Sequence, residues 1–448
     1  MPYRDLREFL ARLEAEGQLA RVRRPVKTKF EIAAGIRKMS DTKGPALWFE
    51  SVVGSTMPVV GSLFADRAKA LLALDVATPA EGNEKFLRGL HSPIPPREVA
   101  TGECQDVVLT GEDVDLFALP LPVYSGKDGG AYVTVALEIS RDPEDGLANA
   151  SVYRVMRLDR NHIAVMSHAF QGLGTHMAKA ERMGVPLDLA IVNGCDPVLL
   201  YAAQAKVPAG FDELGIAGGI NGAPVDVVRG KTVDLLVPAT AEIIIEGRIL
   251  PGVRAKEGPF GEFTGYYGPA EENQVMEVTA ITHRRDPIFL AGLTGVPTTD
   301  NHVLKSFAYE STLYEDLRKT FPEVTAVSFP DWGGTQYVAV VALRQRYKGQ
   351  ARHLILNALG HAARPKWVIV VDDDIDVHDT ERVMWAMVTR GQPAEDIITV
   401  GAVAGGPLDP SAPEKEVISV MGFDATRPFG KAFPEVVEVP GAAEFTID

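Results

Sequence analysis

"EGPFGEFTGYYGP", residues 257–269, sets two carboxylates, Glu257 and Glu262, in a stretch broken by glycines and prolines. Those breakers exclude an amphipathic helix, so the segment reads as a shaped loop or strand end. Phe260, Phe263, Tyr266 and Tyr267 are interleaved with the acids. Aromatic walls keep water from a carboxylate, and partial desolvation raises a carboxyl pKa toward neutrality. The plainer reading is a surface turn with solvated acids, and the residues alone weigh the two about evenly.

Outward from this loop, residues 106–300 are a succession of short β-like runs. "DVVLT", "YVTVALEIS", "HIAVMSH", "DLAIVNG", "AEIIIEGRI" and "VMEVTAITH" are separated by Gly, Pro and Asp turns. That spacing predicts an antiparallel barrel or sandwich, with one helix over 174–184. Upstream, Leu6, Phe9, Leu10 and Leu13 share one face of an opening helix over 4–17. The apolar runs "ALWFESV" and "MPVVGSLF" make this a small α/β unit. It ends in the Pro-rich stretch 90–105. From 300 to 405 helical and strand patterns alternate, as in an α/β or α+β layer domain. After Gly405 the tail reads as weakly structured. "VVDDDIDVHD", 370–379, reads as the polar exit of a buried strand followed by a helix cap near Asp379 and Thr380.

Composition narrows the function. With 45 basic and 60 acidic residues the net charge is −15, which argues against nucleic acid or an anionic membrane as the main partner. Only Cys104 and Cys195 occur, without a CxxC pair. A disulfide framework is therefore not expected, and a reducing cytoplasm fits. No apolar leader or membrane-spanning run is found. Nucleotide-loop and hydrolase motifs are absent.

Three further patches hold polar residues that a core would not choose. "NASVYR", 149–154, reads as one β-run with Asn149, Ser151 and Tyr153 on one face and Val152 and Arg154 on the other. Arg154 is then either a surface ion-pair member or an anion clamp. "MSHAFQGLGTH" holds His168, Gln171 and His176. "KVPAGFDELG" holds Glu213 after a Pro-Gly turn. An Asn, a His and a Glu together would suit Mn²⁺ or Mg²⁺ better than zinc.

The ordered series "DLREFLARLEAEGQL", "NASVYR", "VPATAEIIIEG", "EGPFGEFTGYYGP", "VIVVDDDIDVHD" and "MGFDAT" resembles the UbiD family of reversible decarboxylases that use prenylated FMN. The resemblance implies an α+β/α/β multidomain fold. Its parts would be an N-terminal α/β domain (1–105), a central prenyl-FMN-binding split β-barrel (106–300) and a C-terminal α/β domain with an oligomerisation tail (301–448). The family's catalytic Arg and two glutamates map to Arg154, Glu257 and Glu262. Glu262 would donate the proton after an aromatic, heteroaromatic or α,β-unsaturated acid, bonded covalently to the cofactor, loses CO₂. Asn149, Ser151, Val152, Arg154, Gln171 and Glu213 would hold the cofactor. Its phosphate would be bound through Mn²⁺ or another divalent ion, with K⁺ nearby.

The metal ligands implied are Asn149, His168 and Glu213, with one departure. The ligand His of the family falls on Gly172, leaving His168, His176 or Gln171 to serve, and His168 is preferred because it ends a strand. The substrate pocket implied comprises His168, Phe263, Pro297 and the stretch "TTDNHVLKSF", with His302 or Lys305 meeting a ring hydroxyl. Implied partners are CO₂, a flavin prenyltransferase that supplies the cofactor, and further copies in a homo-dimer or hexamer. A flavin-binding subunit without turnover and a flavin-free metal-dependent hydrolase are the competing readings.

Overall fold

The computed structural model describes residues 3–167, 172–205, 207, 210–414, 416–437 and 439–441. The helix Leu6–Ala15 buries Leu6, Phe9, Leu10 and Leu13, and the Asp5 side chain caps it by accepting from Glu8 N–H. It accompanies a four-stranded sheet in the order Leu19–Val22, Ala46–Phe49, Val59–Gly61 and Phe289–Ala291. The last of these strands comes from far along the chain, so the N-terminal region is closed by the segment that leaves the central one.

The central sheet has nine strands. Eight follow one path: Tyr132–Val133, Arg154–Arg157, His162–Met166, Glu271–His283, Ile243–Glu257, Leu187–Asn193, Leu137–Arg141 and Ala148–Ser151. Val107–Thr110 pairs beside Glu271–His283. All these pairings are antiparallel. Ser151 ends the last strand of the path and Arg154 begins the second, yet only Val152 and Tyr153 lie between them. In a flat sheet six strand spacings would separate them, roughly 29 Å. Three peptide steps reach only about 10 Å. The sheet must therefore curl until its two ends nearly meet, giving a split barrel. This corrects the reading of 149–154 as one strand: the run crosses the split.

Two of the short runs in the sequence belong to the longest strands, Ile243–Glu257 and Glu271–His283. The segment 258–270 joins them, with Phe260–Gly261 and Tyr267–Gly268 paired as a small hairpin. The helix Gly172–Met183 packs Leu173, Met177 and Ala180 into the same apolar cluster as Ile191 and Ile245 of the barrel.

The helix Asp300–Thr320 begins nine residues before the run "YESTLYEDLRKTF" and is buried on most of its faces. Its Leu304, Phe307 and Leu313 share a core with Leu6 and Phe86 on one side and Val341 and Val370 on the other. Glu310, fully buried, takes two hydrogen bonds from Arg67 at 2.9 and 2.7 Å and one from Phe329 N–H at 3.1 Å. This helix thus ties the N-terminal helix Arg67–Leu74 to the C-terminal layer.

The C-terminal sheet has the order Val324–Ser328, Val338–Leu343, Trp367–Asp372, Val417–Ala425 and Ile397–Ala404. The tail after Gly405 therefore contains an interior strand. Ile418, Val420, Phe423 and Ala425 are buried along it, and the Pro-rich flanks mask that pattern in the sequence. The acidic run after Asp372 behaves as read: Asp379 caps Thr380–Arg390, while Asp372 and Asp374 accept from Arg390. No described helix is long and apolar enough to cross a membrane.

Candidate active site

Arg154 stands at the start of its strand, directly after the split. Its Nε and Nη2 each lie 3.0 Å from an oxygen of Glu257, a forked pair. Its Nη1 donates to Glu262 Oε1. Glu257 ends the long strand and is fully buried. Glu262 lies five residues on in the hairpin, 8% exposed. One guanidinium therefore spans both carboxylates, and the Phe260 ring lies 4.8 Å beneath it. Tyr132 O–H donates to Glu257 Oε1 at 2.9 Å and Asn273 Nδ2–H to Oε2 at 3.0 Å.

The hairpin is clamped by residues 125–129. Asp128 accepts from Ser125 N–H at 2.7 Å and Gly261 N–H at 3.2 Å, and burial holds its carboxyl above the ordinary value. Gly129 N–H donates to Pro259 O at 2.8 Å. A Cβ on Gly129 would fall 2.2 Å from the carbonyl oxygen of Gly258. Gly129→Ala should therefore push the hairpin aside, costing about 1–3 kcal/mol of stability and lowering turnover. Denaturation and activity of that variant measure both effects, and a neutral result would show that the clamp is dispensable.

The aromatics of the loop divide. Phe260 and Phe263 are buried, while Tyr266 is 64% exposed and Tyr267 is exposed. Tyr266 does not wall the carboxylates, contrary to the reading of the sequence. Phe263 packs against Tyr337 with centroids 5.5 Å apart, and Lys305 Nζ lies 4.4 Å from its ring centre. His302 is fully buried. Its Nε2–H donates to Phe263 O at 2.7 Å, and its Nδ1 accepts from Thr299 N–H at 3.1 Å. Burial lowers its pKa to about 4.

His302 therefore serves the helix start and the loop, and it does not line the cavity. Above pH 6.5 it is neutral in folded and unfolded chains alike. Between about 6.5 and 4 the unfolded chain gains a proton that the folded chain refuses, so stability falls by roughly a few kcal/mol across that window. His302→Gln should flatten this slope in denaturation measured against pH; an unchanged slope would contradict the assignment.

A cavity of about 610 Å³ opens between the barrel and the C-terminal layer. Arg154, Glu262 and Phe263 line it from the barrel side. Lys305 and Tyr309 line it from the long helix, and Tyr337 and Arg364 from the C-terminal layer. Glu257 and Pro297 are not among the lining residues. Pro297 is half-buried outside the wall.

At the other end of the cavity are Asn149, Ser151, Val152, Gly172, His176 and Glu213. Asn149 Nδ2 lies 3.1 Å from Ser151 Oγ. Glu213 starts the helix Glu213–Asn221 and accepts from Ala150 N–H at 2.9 Å. Burial outweighs that bond and pushes its carboxyl up to about 7. The ring of His176 is engaged by other partners, its Nδ1 2.9 Å from Ser140 Oγ and its Nε2 3.8 Å from Asp142. A Cβ at Gly172 would meet Asn149 Oδ1 at 1.9 Å, so the backbone as it stands leaves no room for a side chain there. His168 and Gln171 lie outside the described residues.

Three family profiles match the chain in order. They are the N-terminal domain (residues 10–86), the Rift-related domain (97–297) and the C-terminal domain (302–425) of 3-octaprenyl-4-hydroxybenzoate carboxy-lyase. The chain belongs to the UbiD family of carboxy-lyases.

An uncharacterized protein of Archaeoglobus fulgidus is 34% identical over 475 residues, covering 100% of this chain and 98% of that one. Among solved structures, the UbiD-class enzyme HmfF from Pelotomaculum thermopropionicum in complex with FMN superposes with a TM-score of 0.92 at 37% identity, over 99% of each chain. An evolved dimeric form of HmfF is in complex with prFMN. Vanillic acid decarboxylase of Sedimentibacter hydroxybenzoicus, in open form, gives 0.90 at 32% identity, over 99% of this chain and 97% of that one. A closed form of it is also known.

At the Asn149 end the described residues bring an amide, a hydroxyl and a carboxyl together, Asn149, Ser151 and Glu213. Asn149 and Glu213 offer hard oxygen donors suited to Mn²⁺ or Mg²⁺. A carboxyl whose charge is disfavoured by burial is a site that a cation would satisfy. Among the described residues no three His, Cys, Asp or Glu side chains gather as a metal cluster.

The sequence reading missed Tyr132, Asn273, Asp128 and Gly129, which lie up to 145 residues from one another in the chain. The only local sign was the Asp-Gly-Gly turn at 128–130.

Proposed function

We propose that this protein catalyses reversible, non-oxidative decarboxylation of an aromatic, heteroaromatic or α,β-unsaturated carboxylic acid, with prenylated FMN as cofactor and Glu262 as proton donor. The observation that carries this reading is the asymmetry of the two glutamates. Glu262 lines the cavity and takes one bond from Arg154, while Glu257, held by two, lies behind it. HmfF binds FMN and prFMN, and vanillic acid decarboxylase acts on an aromatic acid; both support the cofactor and the substrate class.

Prenylated FMN, when bound, supplies the electron sink that makes CO₂ loss feasible. The chain's residues do the rest. Asn149 and Glu213 would hold Mn²⁺ and through it the phosphate, with K⁺ alongside and Ser151 and Val152 against the cofactor. As the carbon–carboxylate bond breaks, CO₂ leaves and its electron pair stays on the ring or alkene carbon. Glu262 gives its proton to that carbon and is reprotonated from water. Arg154 steadies the carboxylate so formed. Run backwards, the same steps are carboxylation, so CO₂ concentration sets the direction. Phe263, Tyr337 and Lys305 would bracket the substrate, and approach of the C-terminal layer would exclude water during the proton transfer.

The test is turnover in D₂O by enzyme co-expressed with a flavin prenyltransferase. One deuterium at the carbon that lost CO₂ is expected. A colourless protein that still hydrolyses substrates would favour the metal-hydrolase reading instead. An intact Arg154–Glu257–Glu262 set argues against a subunit without turnover.

A further inference from the structure

We propose that Tyr132 and Asn273 are positioning residues that fill the acceptor sites of Glu257 and so close it to protons, leaving Glu262 as the one exchangeable acid; this rests on the role given to Glu262 above. A carboxylate offers about four lone-pair directions. Glu257 Oε1 receives Tyr132 O–H at 2.9 Å and Arg154 Nε–H at 3.0 Å. Its Oε2 receives Arg154 Nη2–H and Asn273 Nδ2–H, both at 3.0 Å. All four directions are engaged by donors. A proton added to either oxygen would displace one of them and face another donor across the gap.

The arrangement is built into three elements of the barrel. Tyr132 sits on the short edge strand that pairs with the Arg154 strand, through Tyr132 opposite Met156. Asn273 is on the long strand that returns from the hairpin, opposite Ala255. Tyr132 is fully buried, with its ring 4.5 Å from Phe260, the ring under the guanidinium. Burial and the Glu257 charge both raise the Tyr132 pKa far above its ordinary value, so the phenol remains a donor.

The charged groups facing this cluster are Arg154 from its strand and Asp128 from the clamp loop. Glu262 joins them from the hairpin, and exposed Glu271 stands across the strand pair. Among the described residues no comparable set of donors surrounds the Glu262 carboxylate: its contact in this cluster is the single bond from Arg154. Two acids of the same chemistry are thereby given different roles by their donors.

Tyr132→Phe keeps the ring and removes the donor; Asn273→Leu removes the other. Two readouts apply to each: kcat and KM of the holoenzyme against pH, and an infrared titration of the carboxyl C=O band in protein carrying ¹³C-labelled glutamate. In either variant kcat should fall about tenfold, the worth of roughly one hydrogen bond in orientation, with KM little changed. The pH profile should gain a second ionisation. A new protonated-carboxyl band should appear on acidification, and it should be missing when Glu257→Gln is added. A purely structural role would lower stability without a new ionisation or band, and that result overturns the proposal. Unchanged profiles and spectra alongside an inert Glu262→Gln enzyme would also overturn it while leaving Glu262 as donor. A new band in a protein whose wild type decarboxylates nothing would support the closure of Glu257 and sink the assigned reaction.

Discussion

Glu262→Gln is expected to retain bound cofactor and lose turnover by roughly 10³-fold, the scale of a missing general acid. The amide oxygen of the new side chain could still accept from Arg154 Nη1, so the geometry at the cavity wall should survive. What disappears is the proton. KM or substrate affinity should stay close to wild type, because the interaction removed acts after binding. Release of CO₂ can be followed separately from formation of the protonated product in a single turnover. A variant with full activity would show that the proton comes from elsewhere, and Glu262 would then be a wall residue only.

Arg154→Met should be the costliest single change in the site, for stability as well as activity. Arg154 and Glu257 are both withdrawn from solvent, with side chains 10% and 0% exposed. Removing the guanidinium leaves Glu257 with two neutral donors and no counter-charge. Breaking one partner of such a buried pair costs about 3–5 kcal/mol. Arg154→Lys should recover little of it, because an ammonium cannot reproduce the fork that meets two oxygens of Glu257 and one of Glu262. Denaturant unfolding of the three proteins decides this. A loss below about 1 kcal/mol for Arg154→Met would mean the pair is solvated in solution.

The sequence was most informative where function and fold use the same residues. The Gly- and Pro-broken loop 257–269 announces a turn between strands, and the structure makes it the hairpin between the two longest ones. Glu257 and Glu262 stand out as acids among aromatics in that loop, but the residues alone leave Arg154 either a surface ion-pair member or an anion clamp, and only the family resemblance joins the three. The family resemblance implies a split barrel, but the place of the split could not be read from the residues, since Val152 and Tyr153 look like two more residues of a strand. Only the pairing partners of Ser151 and Arg154 show that they bridge opposite ends of the sheet. Tyr132 and Asn273 were equally silent: a buried Tyr and a half-buried Asn on strands have no signature until the carboxylate between them is located. The strand Val417–Ala425 was hidden for another reason, its apolar alternation being short and set among prolines and charges.

The proposed reaction stands or falls on whether the cavity between barrel and C-terminal layer holds prenylated FMN through a divalent cation. Native mass spectrometry of the protein, purified after co-expression with a flavin prenyltransferase in medium containing Mn²⁺, answers this without any knowledge of the substrate. One prenylated FMN and one divalent ion per chain are expected, both lost together in Glu213→Ala. Protein that emerges free of flavin under these conditions would contradict the proposal.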